Sequence, residues 1–453
     1  MPLRSVAFLL YFFGSCGAAF IYPMVGVVCY VVLYQVYPQT TWWGKPLDIY
    51  GIRYSFVCGL CLTVGMLLNI KRLPAGRQIM HPVEIGTVCI FLAMLLSSVI
   101  GVSRNQFTEL YLDKMAKVVV FLLVMSRVVV TRDRLWVMVL TFTVMAWYLG
   151  HEATNAPPGA FHRNRVDGIG GPDFREASSL AIHLSSLLPF VAITLSDRRL
   201  HVRIFAVAAA AYAVNGILLC RARSAFLGAM IAAGLALFYV PRRYRSLLIG
   251  AMILGAAGML VLSDDWFWDR MLTIASPSEE RDQSAAVRLV VWRAAWDMFR
   301  EHVMGVGVGQ FQWQIRQYSE ELNWVRRDAH NTYILCACEL GIFGLIVYLA
   351  TLGGSWWTLN HALRRARQRL PSPGRYELII FASRISLVVY AVSGLFVSRL
   401  YTEGAWWLIM LPVCIQRAVE SEIHAEARAE EQVYARLARW LTSPAAPGPA
   451  PAC

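Results

Sequence analysis

The sequence RRDAHN at 326–331 sets His330 beside Arg326, Arg327 and Asp328, just before a long apolar run. A histidine of ordinary pKa, near ~6.5, exchanges a proton close to neutral pH and can act as a general base or acid. A plainer reading is equally open: Asp328 or Asn331 caps the following helix and His330 is a solvated boundary residue. Arginines supply a second chemistry. Arg221 and Arg223 occupy LCRARSAF, a short turn between two apolar runs, and Arg288 and Arg293 lie in AAVRLVVWRAAWDMFRE at 285–301. A guanidinium fork matches two phosphate oxygens at once, although any one of these side chains could instead snorkel to headgroups. Together with one histidine, such cations fit a substrate whose pyrophosphate leaving group develops charge. His162, Arg163 and Arg165, ahead of GIGGPD, form either the lining of a sugar site or a solvated loop.

Other motifs carry less. GVGVG at 305–309 follows no strand of a βαβ unit, so it reads as a tight turn ending a helix, not as a nucleotide loop. Nine of the ten cysteines fall in apolar segments and the tenth is Cys453. Neither Cys58/Cys61 nor Cys336/Cys338 has the further ligands of a zinc site, so they read as small buried hydrophobes and no metal is expected. Ionisable residues inside the apolar runs are few, Glu84, Glu176, His183 and Arg384, and of these His183 and Arg384 keep a transporter in view.

These residues need elements to hold them, and composition fixes the kind. Of 453 residues, 57% are hydrophobic and 16% charged, against ~45–50% and ~25% in soluble domains. Apolar runs of bilayer-crossing length, ~17–25 residues, recur from residue 5 to residue 415, which excludes a soluble multidomain enzyme. The net charge of +13 comes from 42 Lys+Arg against 29 Asp+Glu. The cations sit in short loops between the apolar runs, so nucleic acid is excluded as a partner and membrane lipids are expected. The runs are 5–36 (broken near Tyr22–Pro23), 54–70, 83–102, 115–130, 134–150, 176–196, 202–220, 224–240, 246–262, 331–357, 376–398 and 404–415. If 5–36 crosses once, the pattern predicts an all-α polytopic bundle of about 12 transmembrane helices with both termini inside.

Arginine clusters at Lys71/Arg72/Arg77, Arg132/Arg134, Arg198/Arg199/Arg203, Arg242/Arg243/Arg245 and Arg364–Arg375 mark the inner loops. Loops 103–114, 151–175, 221–223, 263–330 and 399–403 then fall outside, with the chemistry-bearing residues among them. Segment 263–330 is too long to be structureless. Val287, Val291, Ala294, Ala295 and Met298 share one helical side there, which predicts helices lying at the membrane surface. Residues 417–441 read as a cytoplasmic amphipathic helix, with Val419, Ile423, Val433, Leu437 and Trp440 on one side, and the Pro/Ala-rich end as disordered. Three regions follow: 1–175, 176–415 with its large outer loop, and the tail 416–453.

His330-Asn331, nine residues, Gly341, two residues, Gly344 (HNTYILCACELGIFG) resembles the histidine motif of bacterial O-antigen ligases and related polymerases. In the same order, ARSAFLGA at 222–229 resembles that superfamily's Ser-Arg segment, with Ala222 where Ser is usual. RLVVWRAAWDMFREHVMGVGVGQF at 288–311 resembles its Arg–Trp stretch with a glycine-rich end. RVDGIGGPDFREASSLA at 165–181 is similar to its preceding outer loop, with Ser178 and Ser179 near where Asn is common. YPQTTWWGKPLDIYGIRYSF is similar to the exosortase-associated O-glycosylation ligases. The resemblance implies a GT-C-like glycosyltransferase of the bacterial inner membrane, independent of metal and cofactor and acting at the periplasmic face. Its donor would be a glycan on undecaprenyl pyrophosphate, and its acceptor a hydroxyl on lipid A–core, a protein or another glycan. Arg223 and Arg288 would neutralise the pyrophosphate and His330 would act on the acceptor hydroxyl. Arg165, Arg221, Arg293, Arg326, Arg327 and Asn331 would surround the substrates. A chain polymerase shares this chemistry, and a lipid-linked glycan transporter is the rival class.

Overall fold

The computed structural model describes residues 2–45, 51–71, 80–272, 283–322 and 326–442. The first apolar run folds as two helices, α1 (Leu3–Ala19) and α2 (Pro23–Val36). Pro23 sits at the first helical position, where its missing N–H and fixed φ are harmless. The two form an antiparallel hairpin, so 5–36 does not make the single crossing expected. The Phe8 ring packs 4.9 Å from both Trp43 and Tyr54, and at the other end Asn69 Nδ2 donates to Phe20 O (2.7 Å). The chain continues through α3 (Tyr54–Leu68), α4 (Pro82–Ile100), α5 (Gln106–Val128) and α6 (Arg132–Thr154), then a two-stranded antiparallel hairpin of β1 (Phe161–His162) and β2 (Arg165–Val166). Next come α7 (Ala177–Thr194), α8 (Leu200–Cys220), α9 (Arg223–Tyr239), α10 (Arg245–Leu262), α11 (Asp265–Leu272), α12 (Gln283–Glu301) and α13 (Phe311–Gln314). Last are α14 (Thr332–Arg369), α15 (Gly374–Ser393) and α16 (Glu403–Thr442).

The bundle is all-α apart from that hairpin, but the expectation of about twelve spans fails. Among the described residues, six helices are long and apolar enough to cross a membrane: Pro82–Ile100, Ala177–Thr194, Leu200–Cys220, Arg242–Leu262, Thr332–Arg369 and Gly374–Ser393. The reason is partly length. α1 and α9 have 17 residues, α3 has 15 and α2 has 14, so at ~1.5 Å per residue they rise less than the ~30 Å hydrocarbon core. It is partly charge: α5 carries Glu109, Asp113, Lys114 and Lys117 in its first half, and α6 opens on Arg132, Asp133 and Arg134. Apolar runs in the sequence continue into charged turns of the same helix, so run count and span count differ.

α7 and the first half of α16 form the axis of the bundle. Nearly every described side chain from Ala177 to Thr194 is buried, and Trp406 and Trp407 have no exposed surface. The outside is the inverse of a soluble protein: Val99, Leu254, Val261, Phe343 and Ile346 are exposed, as lipid-facing side chains are. In α12 the apolar side turns inward instead of onto a membrane surface, because Val291, Ala294, Ala295 and Met298 are buried against the protein. α16 runs on to Thr442 with Val419 buried and Ile423 half-buried. The side chains of Val433, Leu437 and Trp440, the Pro/Ala-rich end, Arg72, Arg77 and Trp324 lie outside the described residues. The cysteines up to Cys414 are free thiols, most of them buried.

The glycine-rich run is a turn threaded against a break in α14. Gly305, Gly307 and Gly309 have φ of +98°, +107° and +72°, and Gly341, within α14, has φ +70°. Val306 N–H donates to Cys338 O (2.8 Å) and Ile342 N–H to Val303 O (2.9 Å), so carbonyl and amide groups released by the break are paired across it. Buried Glu339 accepts from Phe311 N–H (3.0 Å) and from Tyr401 Oη (2.6 Å), holding the far end of the turn. A Cβ on Gly341 would lie 2.5 Å from the carbonyl carbon of Met304, whereas one on Gly353 meets nothing within 4 Å. Gly341→Ala is therefore expected to destabilise the protein by ~2 kcal/mol or more, read as a lowered Tm in detergent, with Gly353→Ala as a near-neutral control. Equal Tm values for the two variants would refute this role for Gly341.

Candidate active site

Four of the five non-glycine residues with positive φ among the described residues cluster at one end of α7, α8, α9 and α14: Arg163 (+50°), Asn164 (+59°), Arg221 (+44°) and His330 (+45°). Side chains held in this region are strained, and such strain persists where the surroundings over-determine it. Arg163 and Asn164 are the two central residues of the β1–β2 turn, which needs positive φ at both. Arg221 ends α8 in the left-handed conformation usual for glycine. Its guanidinium donates to Asn164 O and to Asp264, so one buried side chain ties the hairpin to the start of α11. Arg165 Nε donates to Cys220 O (3.0 Å) and Nη2 to Ser178 Oγ (2.8 Å), which fixes the hairpin across the ends of α7 and α8.

His330 sits in a braced turn. Trp292 Nε1 donates to Ala329 O (2.9 Å), holding the turn to α12. Asn331 caps α14 by accepting from Tyr333 N–H (2.9 Å) and Ile334 N–H (3.0 Å), and its Nδ2 donates to Leu395 O (3.0 Å). Thr332 N–H donates to Gly394 O (2.7 Å) and its hydroxyl to Val397 O (2.7 Å). The imidazole Nδ1 lies 3.5 Å from the Asp328 carboxylate, and His330 keeps 41% of its side-chain surface exposed. The imidazole is thus held in the turn with an open face beside a carboxylate, and Asn331 is the cap.

Arg165, Arg223, Arg288 and His330 line one cleft of about 380 Å³, joined by Arg163, Arg270, Glu176 and Ser178. The four segments that supply them are the first outer hairpin, the start of α9, the α11–α12 region and the turn before α14. Among the described lining residues are five arginines and one carboxylate, a composition suited to anions. Arg223 and Ser224, the first residues of α9, line the same space, and Ala222 makes no side-chain cap bond, so the positive end of a helix lies at the cleft. The remaining sequence candidates lie elsewhere. Arg221 is the latch just described, Arg293 is exposed on α12, Arg327 is exposed, and Arg326 stacks 3.1 Å over the Trp313 ring. Glu176 and Ser178 fall within the 165–181 outer-loop resemblance but have no role of their own in the sequence, and Arg270 lies in no motif. Arg270 carries only the amphipathic spacing of an eight-residue helix.

Beneath the cleft lies Asp173. Its carboxylate accepts from Lys114 Nζ and Tyr34 Oη and from Glu403 N–H (2.8 Å). Its carbonyl accepts from Arg399 (3.2 Å), which also donates to Ser179 O (3.4 Å), and whose own N–H donates to Thr332 Oγ1 (2.9 Å). Burial opposes ionisation of Asp173, but Lys114, Tyr34 and the Glu403 N–H outweigh it and hold the carboxyl below its usual range. Among the described residues no three His, Cys, Asp or Glu side chains are grouped to hold a metal ion.

The architecture is therefore that of a helical membrane-type protein with an arginine-lined cleft and one poised histidine. Residues 205–349, which contain Arg223, Arg288 and His330, match the family model of O-antigen ligases. The match spans roughly a third of the chain. It supports placement in that superfamily and a ligase-type role in glycan transfer. Comparison with curated proteins finds no match.

A carboxyl depressed in the folded state contributes stability that is complete above its unfolded pKa of about 3.9 and is lost as pH falls through the lower folded value. Asp173→Asn is expected to lower Tm near neutrality and to flatten the acid limb of a Tm profile taken from about pH 6 to about pH 3. A variant profile parallel to that of the wild type would show that Asp173 is not depressed.

Proposed function

We propose that this protein is a periplasm-facing ligase of the bacterial inner membrane, related to the exosortase-associated O-glycosylation ligases. It transfers a glycan from undecaprenyl pyrophosphate to an acceptor hydroxyl, on lipid A–core or a protein, without metal or cofactor. The observation that carries this reading is the convergence of Arg223, Arg288 and His330 on one cleft. In the reaction the acceptor oxygen attacks the anomeric carbon of the donor. A new glycosidic C–O bond forms as the bond to the pyrophosphate breaks, the acceptor proton passes to His330, and undecaprenyl pyrophosphate leaves. Arg223, Arg288 and the positive end of α9 stabilise the charge that gathers on the leaving pyrophosphate. Asp328, 3.5 Å from Nδ1, orients the imidazole. Fixing both substrates in one cleft removes the entropic barrier to their meeting.

The test is transfer from a lipid-pyrophosphate glycan in membranes holding equal inserted amounts of wild type or His330→Ala, without nucleotide or added metal. The variant is expected to lose ~10²–10⁴-fold in rate, and the product band identifies the acceptor, a growing glycan chain marking a polymerase. Equal rates, or movement of lipid without a new glycosidic product, would overturn the reading. In the same assay Arg288→Lys is expected to raise the donor KM although charge is kept, because an ammonium cannot grip two phosphate oxygens as a fork. An unchanged donor KM would remove Arg288 from the pyrophosphate site.

A further inference from the structure

Glu176 is the carboxylate of the cleft, and its helix does not use it. It occupies the N-cap of α7, yet its side chain makes no cap bond. Asp167 Oδ1 accepts from Ala177 N–H (2.6 Å), which ties the outer loop to the start of the helix without involving the Glu176 side chain. The Glu176 carboxylate lines the cleft, where it forms no ion pair and no side-chain hydrogen bond with any described residue. The next cleft residue on α7, Ser178, accepts from Arg165 and so keeps its own hydroxyl proton for a ligand. Arg399 links this end of α7, through Ser179 O, to Thr332 beside His330. A carboxylate acceptor and a hydroxyl donor therefore stand together, on a segment tied to the histidine turn.

Building on the proposed transfer reaction, we propose that Glu176 and Ser178 form the acceptor subsite, binding sugar hydroxyls that flank the attacking one. A carboxylate repels a pyrophosphate and binds vicinal hydroxyls well, since hydrogen bonds to charged groups are the stronger ones. The edge thus sorts the substrates within one cleft: the anion goes to Arg223, Arg270 and Arg288, and the neutral polyol goes to Glu176 and Ser178. Glu176 binds and selects, while proton removal stays with His330.

The experiment has two arms, both on the full chain. In the first, transfer is measured at saturating lipid-pyrophosphate glycan while acceptor-bearing membranes of the producing cell are titrated. Glu176→Gln is expected to raise the apparent acceptor KM about tenfold with kcat within about twofold, and Glu176→Asp to recover part of the affinity. In the second, detergent-solubilised protein is titrated with farnesyl pyrophosphate. Glu176→Gln is expected to bind it as tightly as the wild type or more tightly, because a repelling charge is gone. Three results overturn the assignment: an unchanged acceptor KM, a fall in kcat without a change in KM, or weakened farnesyl pyrophosphate binding. Transfer absent from the wild type overturns the proposed function and the subsite with it. A wild type that transfers normally beside an unaltered Glu176→Gln overturns the subsite alone.

Discussion

Asp173 lies where three segments far apart in sequence meet: α2 through Tyr34, α5 through Lys114, and the turn into α16 through Arg399 and the Glu403 N–H. A buried carboxylate is costly unless every lone pair is occupied, and here the partners occupy them. The arrangement therefore tolerates few alternatives. Shifting any of these elements would strand a charge. Arg399 extends the constraint to both walls of the cleft, since it holds Ser179 on α7 and Thr332 on α14. The outer hairpin is then set by Arg165 and Arg221 upon that base.

The arginines in and around the cleft share charge but take different structural places. Arg165 and Arg221 have their guanidinium groups committed to backbone carbonyls and side chains of neighbouring elements. Arg223 stands at the first turn of α9, where Ala222 leaves the helix end open toward the cleft. In the proposed reaction an open helix end and forked side chains act on the same charge, so neither must supply the whole stabilisation. The strained backbone at Arg163, Asn164 and His330 fits the same picture: loops forced into left-handed geometry hold side chains where relaxed loops would not.

Arg165, Arg223, Arg288 and His330 could be gathered from the sequence because all fall in loops on the same side of the charge pattern, Arg223 and His330 at apolar boundaries. Arg221 and Asn331 carry identical sequence signals, yet one is a latch and the other a cap. Adjacency in the chain cannot distinguish a side chain that meets a ligand from one that meets a carbonyl 57 residues away, as Arg221 does. Glu176 was legible as the start of an apolar run and as part of the 165–181 resemblance, but its place in the cleft depends on how α7 meets the hairpin and α9, which no local pattern records. Asp173 gave no periodic signal, and its partners come from α2, α5 and α16. The helical class followed from composition, but the span count did not. Hydrophobic runs report what is apolar, and α16 places its most apolar stretch, around Trp406 and Trp407, inside the protein and not against lipid. The apolar side of α12 misled in the same way, since burial against protein and burial in a membrane select the same residues.

α14 begins two residues after His330 and ends in the arginine-rich stretch at Arg364–Arg369. Past the break at Gly341, the 28 residues from Ile342 to Arg369 rise about 42 Å, more than a hydrocarbon core of ~30 Å. Near its far end Arg365 is clamped to Glu420 (3.0 Å) and Arg367 to Glu377 (2.7 Å). In the proposed reaction the element works as a ruler. With its charged end anchored at one headgroup layer, its length would set how far the histidine stands above the other, and the break at Gly341 is the joint that sets the angle. Bilayer thickness would then be a variable of the cleft, changing the height at which His330 meets a lipid-borne phosphate with no contact in the cleft altered.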